Sequence, residues 1–247
     1  LSLLLKQVPL KIPGGAAIAF SGGLDSSILL YLSPASAHAY VVGLLGSKDI
    51  QSAMDSAARL HRDLSVVEVS EYQVLEVAKK IMAIDPGITM KDLGFETVLY
   101  LTLSGIREDT LVTGQGADEI FYGYHRFLTG SSGTNDTSIR KLLNTTMPRE
   151  KKIAESLHKK IIAPYLEDGI FEYSSLGIGK HIVEGTNKFL LRSAALLIGV
   201  PREICIKEKK AAQYGSGVDR VLRKHKDRLF PNTGREAALS SAGKSQD

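Results

Sequence analysis

The sequence predicts an α/β protein: an open parallel sheet with crossover helices, followed by a helical C-terminal half. Three observations carry this. Up to residue 113, short apolar runs of strand type alternate with helical stretches, the order that builds a parallel sheet. The first apolar run enters a glycine turn that opens a helix. After Gly130 the period changes, and only helical patterns follow. The expected organisation is an α/β core over residues 1–130, a helical annex over 131–230, and a flexible tail over 231–247.

The elements are justified in turn. Residues 2–9 are a short amphipathic lead-in, and Pro13-Gly14-Gly15 is a turn. Residues 16–20 (AAIAF) form a strand, and a helix runs to about Leu32. Residues 37–45 (AHAYVVGLL) read as a buried strand. Residues 48–61 are helical, with Ile50, Met54, Ala57, Ala58 and His61 on one face. Residues 64–69 are a β-branched strand. Residues 71–84 are a helix with Val74, Leu75, Ala78, Ile81 and Met82 inward, stopped by Asp85-Pro86-Gly87. Residues 95–106 are an apolar helix and 110–113 a short strand. Residues 131–138 (SSGTNDTS) are a polar loop, and helices are expected at 139–144, 149–163, 168–174, 187–199 and 218–229.

Composition sets limits. The 247 residues fit one α/β domain, or one with a helical annex. A net charge of +4 suits a phosphate-rich ligand only weakly, and the basic clusters at 207–210 and 220–228 read as solvated helix faces. Few aromatics and no Trp argue against stacking platforms for nucleic acid. The single cysteine, Cys205, excludes an intrachain disulfide and a multi-cysteine metal site. Between Ile204 and Ile206 it reads as a buried structural thiol. No apolar run approaches a membrane span, so a cytoplasmic protein with no membrane partner is expected. Asn135 and Asn144 begin chance matches to the glycosylation pattern.

The stretch with the most chemistry is Ser21-Gly22-Gly23-Leu24-Asp25-Ser26-Ser27. Glycines let the backbone approach a ligand. The first-turn N–H groups and the positive end of the helix dipole then face an anion. Ser21, Ser26 and Ser27 add hydroxyls. Asp25 is out of place beside phosphates unless a cation stands between them, so it predicts Mg²⁺. The plain alternative is a strand–turn–helix with a serine cap.

Carboxyl ends of parallel strands share one rim, and two more motifs lie there. Residues 41–49 (VVGLLGSKD) could line an adenine slot, although a buried strand looks the same. Residues 113–119 (TGQGADE) again follow a strand and open a helix. One reading has Asp118 sharing Mg²⁺ with Asp25; the other has Asp118 and Glu119 simply complementing a helix dipole. In the helical half, residues 207–217 (KEKKAAQYGSG) place lysines before a glycine turn; by itself a solvated basic turn is the better reading. Gly243-Lys244-Ser245 is no P-loop, because Ala238 replaces its first glycine. Gly177-Ile178-Gly179 lacks a third glycine and follows no strand. No Ser–His–Asp elbow or metal-spaced histidine pair supports a hydrolase.

The full loop string resembles the pyrophosphate loop of ATP pyrophosphatases. Together, SGGLDSS at 21–27, VGLLGSKD at 42–49, TGQGADEIFYGY at 113–124, APYLEDGIF at 163–171 and NKFLLR…KEKKAAQYGSG across 187–217 resemble the synthetase domain of asparagine synthetase and β-lactam synthetase. The order and spacing hold over nearly the whole chain. The resemblance implies a five-stranded parallel core of the adenine-nucleotide α-hydrolase type. It implies attack of a carboxylate on the α-phosphorus of ATP, giving an acyl-adenylate and pyrophosphate, and displacement of AMP by an amine. By position, Ser21, Gly22, Gly23, Asp25 and Ser26 bind the pyrophosphate portion and the metal. Ala19 and Val42 lie by the adenosine, and Gly114 and Gly116 shape the α-phosphate side with Gln115 between them. Asp118 is the second metal ligand. Lys209, six residues before Gly215, takes the place of the catalytic lysine, with Lys210 as the alternate.

Three departures shape the expectation. The chain contains no glutaminase domain, so the nitrogen would come from ammonia, another amine or a separate glutaminase subunit. Gln115 stands where bacterial asparagine synthetases have Glu and β-lactam synthetases Tyr, which puts aspartate as the acid in doubt. Glu167 replaces a common Asp. The expected function is an ATP- and Mg²⁺-dependent carboxylate–amine ligase. Its alternatives are a nucleotide-binding module that has lost the ligase step, and another pyrophosphate-loop enzyme such as a tRNA thiolase, disfavoured by the absent cysteine pair. A homo-oligomer is left open.

Overall fold

The computed structural model describes residues 8–9, 11–129, 134–207 and 212–231. Five strands form one sheet in the order β3-β2-β1-β4-β5: β1 (Ala17–Ala19), β2 (His38–Leu44), β3 (Leu64–Val69), β4 (Thr110–Val112) and β5 (Lys160–Ile162). Every pairing is parallel, with Ala17 opposite His38 on one side and Leu111 on the other. Parallel neighbours need crossovers. These are α1 (Leu24–Leu32), α2 (Lys48–Arg59), α3 (Glu71–Ile84) and α4 (Met90–Gly105).

Side chains alternate across the strands, so each strand feeds two cores. Ile18, Phe20, Val41 and Val112 pack with Ile28 and Leu29 of α1, and with Phe121 and Tyr165. Ala17, Tyr40, Val42 and Leu111 pack with Val74, Ile81, Leu93 and Leu101 of α3 and α4. A fully buried side chain such as Leu29 contributes about 1.5–3 kcal/mol. Caps match the local sequence. Ser70 forms a capping box with Gln73 at the start of α3, and Thr89 caps α4 through the Asp92 N–H.

After β3 the chain returns to the far side of β1 to form β4 and β5. Strand order therefore reverses between β1 and β4, and ligands of open α/β sheets bind at the carboxyl ends beside such a reversal. The loop 21–27 follows β1 and the loop 113–116 follows β4.

Beyond residue 134 the chain forms α5 (Asp136–Lys141), a π turn (Leu142–Thr146) and α6 (Met147–Ser156). Further on come α7 (Ile178–His181), α8 (Phe189–Leu197), α9 (Arg202–Cys205), α10 (Ala212–Gly215), α11 (Val218–Lys224) and α12 (Lys226–Leu229). Residues 168–174 hold a 3₁₀ turn at Phe171–Ser175 instead of an α-helix.

The expectation of helices alone in this half is corrected by β5. Residues 149–163 do not stay helical: α6 ends at Ser156, and His158 takes a left-handed φ of 55°. The Lys160 N–H then donates to the Asp109 carbonyl, and Ile161 and Ile162 join the sheet edge. An apolar pair after a helix has no period of its own, so only the open edge of β4 decides it. The expected face of α2 is also corrected. Ile50, Ala53, Ser56 and Ala57 are buried, whereas Met54, Ala58 and His61 are exposed. Small residues face inward because α2 lies directly on the loop 21–27. Cys205 is buried as expected, and burial pushes its thiol above the usual value. The lead-in up to residue 7 and the tail from 232 lie outside the described residues. Among the described residues no helix is long and apolar enough to cross a membrane.

Candidate active site

The loop after β1 is shaped by two constraints. Gly22 has a φ of +67°, a region costly for other residues. A Cβ there would stand 2.3 Å from the Ser52 carbonyl oxygen and 2.8 Å from Ala53 Cα, both in α2. Glycine therefore lets α2 press onto the loop, and the Ser56 hydroxyl donates to the Gly22 carbonyl at 2.9 Å. Gly23 occupies the N-cap of α1, and no side chain caps that helix. With no side-chain cap, the positive end of this helix is placed to attract an anion, as at phosphate-binding helix starts. Ser26 Oγ lies 3.2 Å from Ser21 Oγ and accepts from the Ser21 N–H at 3.3 Å, so two of the three predicted hydroxyls sit together in the loop; the third, on Ser27, is fully buried and does not face the loop.

The loop after β4 meets the first one. A Cβ on Gly114 would touch Asp25 Cβ at 3.4 Å. Gly116 has a φ of +91°, and a Cβ there would collide with Leu166 at 2.4 Å. These glycines bring Asp118 to Asp25, and one cation joins them. Lys188 Nζ lies 2.8 and 2.7 Å from the two oxygens of Asp25 and 2.7 Å from Asp118 Oδ1. The Lys188 side chain is 8% exposed, that of Asp25 27% and that of Asp118 48%. Burial alone would lower the Lys188 pKa, but the two carboxylates outweigh it and hold the ammonium above its ordinary value. Two carboxylates are a donor set that could hold Mg²⁺ with the help of substrate phosphates, and here the Lys188 ammonium holds their oxygens. The Tyr165 hydroxyl donates to the Asp25 carbonyl at 3.0 Å, tying the segment after β5 to the loop.

Gln115 lies between the two glycines and is held from behind. Its Nε2 donates to Oε1 of Glu150 on α6 in a short hydrogen bond. Glu150 is 2% exposed and its Oε2 has no hydrogen-bond partner. Burial, then repulsion from Glu96, pushes its pKa up to about 8. Glu96 of α4 is held at about 7 by burial, despite Arg149 Nη1 at 3.1 Å.

The second rim motif and the glycine turn of the helical half are locked together. The Leu44 N–H donates to the Ser216 carbonyl at 3.0 Å. Cβ atoms on Gly215 and Gly217 would strike Asp49 at 2.0 Å and Leu44 at 2.7 Å. Ala19 closes β1 and is partly buried, while Val42 is 4% exposed within the sheet. Lys207 Nζ donates to Ser52 Oγ at 2.7 Å, so the basic turn comes up against the α2 serines that support the loop. Lys209 and Lys210 lie outside the described residues.

The residues Ser21, Gly22, Gly23, Asp25, Ser26, Gly114, Gln115, Gly116 and Asp118 thus come together where the loops after β1 and β4 meet. Sequence reasoning missed Lys188 and Glu150. Glu150 shares its helix face with Ile153 and Ala154, a spacing that marks it as inward. Lys188 lies in the matched NKFLLR segment, but a lone lysine before an apolar helix reads as a polar start.

Residues 15–167 match the family model described as asparagine synthase. A curated relative from Methanocaldococcus jannaschii, named "Putative asparagine synthetase (glutamine-hydrolyzing) 1", is 25% identical over 254 positions. The alignment covers 83% of this chain and 46% of the relative, so the chain spans about half of that protein's length.

Proposed function

The chain belongs to the asparagine synthase family, and from that premise we propose that it is an ATP-dependent carboxylate–amine ligase that forms AMP and pyrophosphate. The observation carrying this is the meeting of the loop 21–27, Asp25 and Asp118 at the reversal in strand order. In the first step an oxygen of the substrate carboxylate bonds to the α-phosphorus of ATP. The bond to the bridging oxygen breaks, and pyrophosphate leaves. In the second an amine attacks the acyl carbon, AMP leaves with the bonding electrons, and the nitrogen sheds a proton.

The roles follow from position. The first-turn N–H groups of α1, with Ser21 and Ser26, bind the pyrophosphate portion. Asp25 and Asp118 would hold Mg²⁺, which when bound neutralises phosphate charge. Ala19 and Val42 lie on the adenosine side, and Gly114 and Gly116 let the α-phosphate approach. Lys209, or Lys210 beside it, offsets charge developing on the α-phosphate oxygens. Gln115 gives its N–H to Glu150, which leaves its carbonyl oxygen to accept a hydrogen bond from the incoming amine. The nitrogen donor is ammonia or another amine, free or delivered by a glutaminase subunit. Residues 1–130 and 131–230 act as a nucleotide-binding core and an annex that completes the site.

The test is ATP–pyrophosphate exchange across a panel of carboxylic acids that includes aspartate. At least one acid should support exchange, and Asp25→Asn or Asp118→Asn should abolish it while the fold stays intact. Exchange retained in both variants overturns the assignment. ATP binding with no exchange for any acid reduces the protein to a nucleotide-binding module.

A further inference from the structure

Lys188 does more than join two carboxylates. Its ammonium lies within 2.8 Å of three carboxylate oxygens. A magnesium ion needs such oxygens at about 2.0–2.1 Å, and it would share their space with a buried positive charge. We propose that Lys188 is a specificity-determining residue that closes the Asp25–Asp118 site to a bare divalent cation and opens it only to the metal–nucleotide complex. This rests on the nucleotide-binding reading above.

The surroundings are built for the contact. Lys188 takes a left-handed φ of 52°, a conformation uncommon outside glycine and asparagine. Asn187 fixes the backbone before it: its Nδ2 donates to the Gly123 carbonyl at 2.6 Å. Arg192 donates to both the Asn187 carbonyl, at 2.9 Å, and its Oδ1, at 3.2 Å. A Cβ on Gly123 would fall 2.2 Å from Lys188 Cε and 1.9 Å from Asp118 Oδ1. Glycine at 123 therefore leaves the channel along which the lysine stem reaches the carboxylates. The anchoring holds the backbone, while the four-carbon stem can redirect the ammonium. A bare cation brings only positive charge, so Lys188 has no reason to move. ATP brings its own negative charges, enough to engage both the metal and a displaced ammonium.

The experiment is Mn²⁺ binding to the intact protein, followed by electron paramagnetic resonance with and without a non-hydrolysable ATP analogue. The parent should hold no Mn²⁺ at millimolar concentration alone and one ion with the analogue. Lys188→Met should bind Mn²⁺ without nucleotide, at least ~10-fold more tightly than the parent, because a nearby unit charge is gone. Lys188→Arg keeps the charge and should still refuse the bare ion. Equal Mn²⁺ affinity of the parent with and without nucleotide overturns the proposal, even if Lys188→Met fails to fold. So does a well-folded Lys188→Met that still excludes the bare ion. Parent protein that binds neither the analogue nor its Mn²⁺ complex refutes the nucleotide site itself, a result distinct from both.

Discussion

The buried carboxyl of Glu150 makes a quantitative prediction about pH. Its ordinary value is 4.5, and in the fold it rises to about 8 through burial and the nearby Glu96. The native state therefore keeps a proton that the unfolded chain releases near pH 4.5. Where the native state binds more protons, stability falls as pH rises. The stabilisation is complete below about pH 4.5 and is lost as pH climbs through about 8. From 4.5 to about 8 is three and a half tenfold steps in proton affinity, each worth about 1.36 kcal/mol, or about 5 kcal/mol. Glu96 titrates against the same site, so this is a ceiling for Glu150 alone. The charged or polar groups around it are Glu96, Gln115, Arg149 and Glu119. Glu150→Gln keeps an acceptor for Gln115 and removes the titration. Urea unfolding at pH 5.5 and pH 9 reads the effect. The parent should lose more stability than the variant across this interval, by up to about 3 kcal/mol. At pH 9 the variant should be the more stable of the two. Parallel losses in both proteins would refute the argument.

Other expectations follow from single contacts. Gly22→Ala combines left-handed strain with a collision against α2 and should cost about 2–5 kcal/mol in chemical unfolding; a neutral result would mean the loop does not press on α2. Arg149→Leu strands the buried Glu96 and the Asp85 oxygen that Arg149 Nε contacts at 2.7 Å, and should cost about 3–5 kcal/mol, read as a lowered urea midpoint at unchanged slope. Tyr165→Phe removes the hydroxyl that donates to the Asp25 carbonyl. It should cost about 0.5–1.5 kcal/mol and weaken binding of the ATP analogue, measured by calorimetry.

Much of the site is written locally. Ser21 to Ser27 lie within one strand–turn–helix, and the glycine conformations and helix start there depend on neighbours a few residues away. Gly114 and Gly116 lie in a second strand–turn–helix, but the space they leave is filled from far along the chain, by Asp25 and by Leu166; the alternation of strands and helices already placed both loops on one rim. The sequence alone thus determined the strand–turn–helix at 21–27, the rim and the sheet class, because backbone sterics and short-range hydrogen bonding act over a few residues. Tertiary structure decided the rest. Ile161 and Ile162 became a strand because β4 offered an open edge. Small residues turned inward on α2 because the loop leaves no room for larger ones. Glu150 reached Gln115 from 35 residues away, and Lys188 reached Asp25 across 163 residues. No local period encodes such pairings, since a charge is held out of water only where the folded chain brings its partner to it.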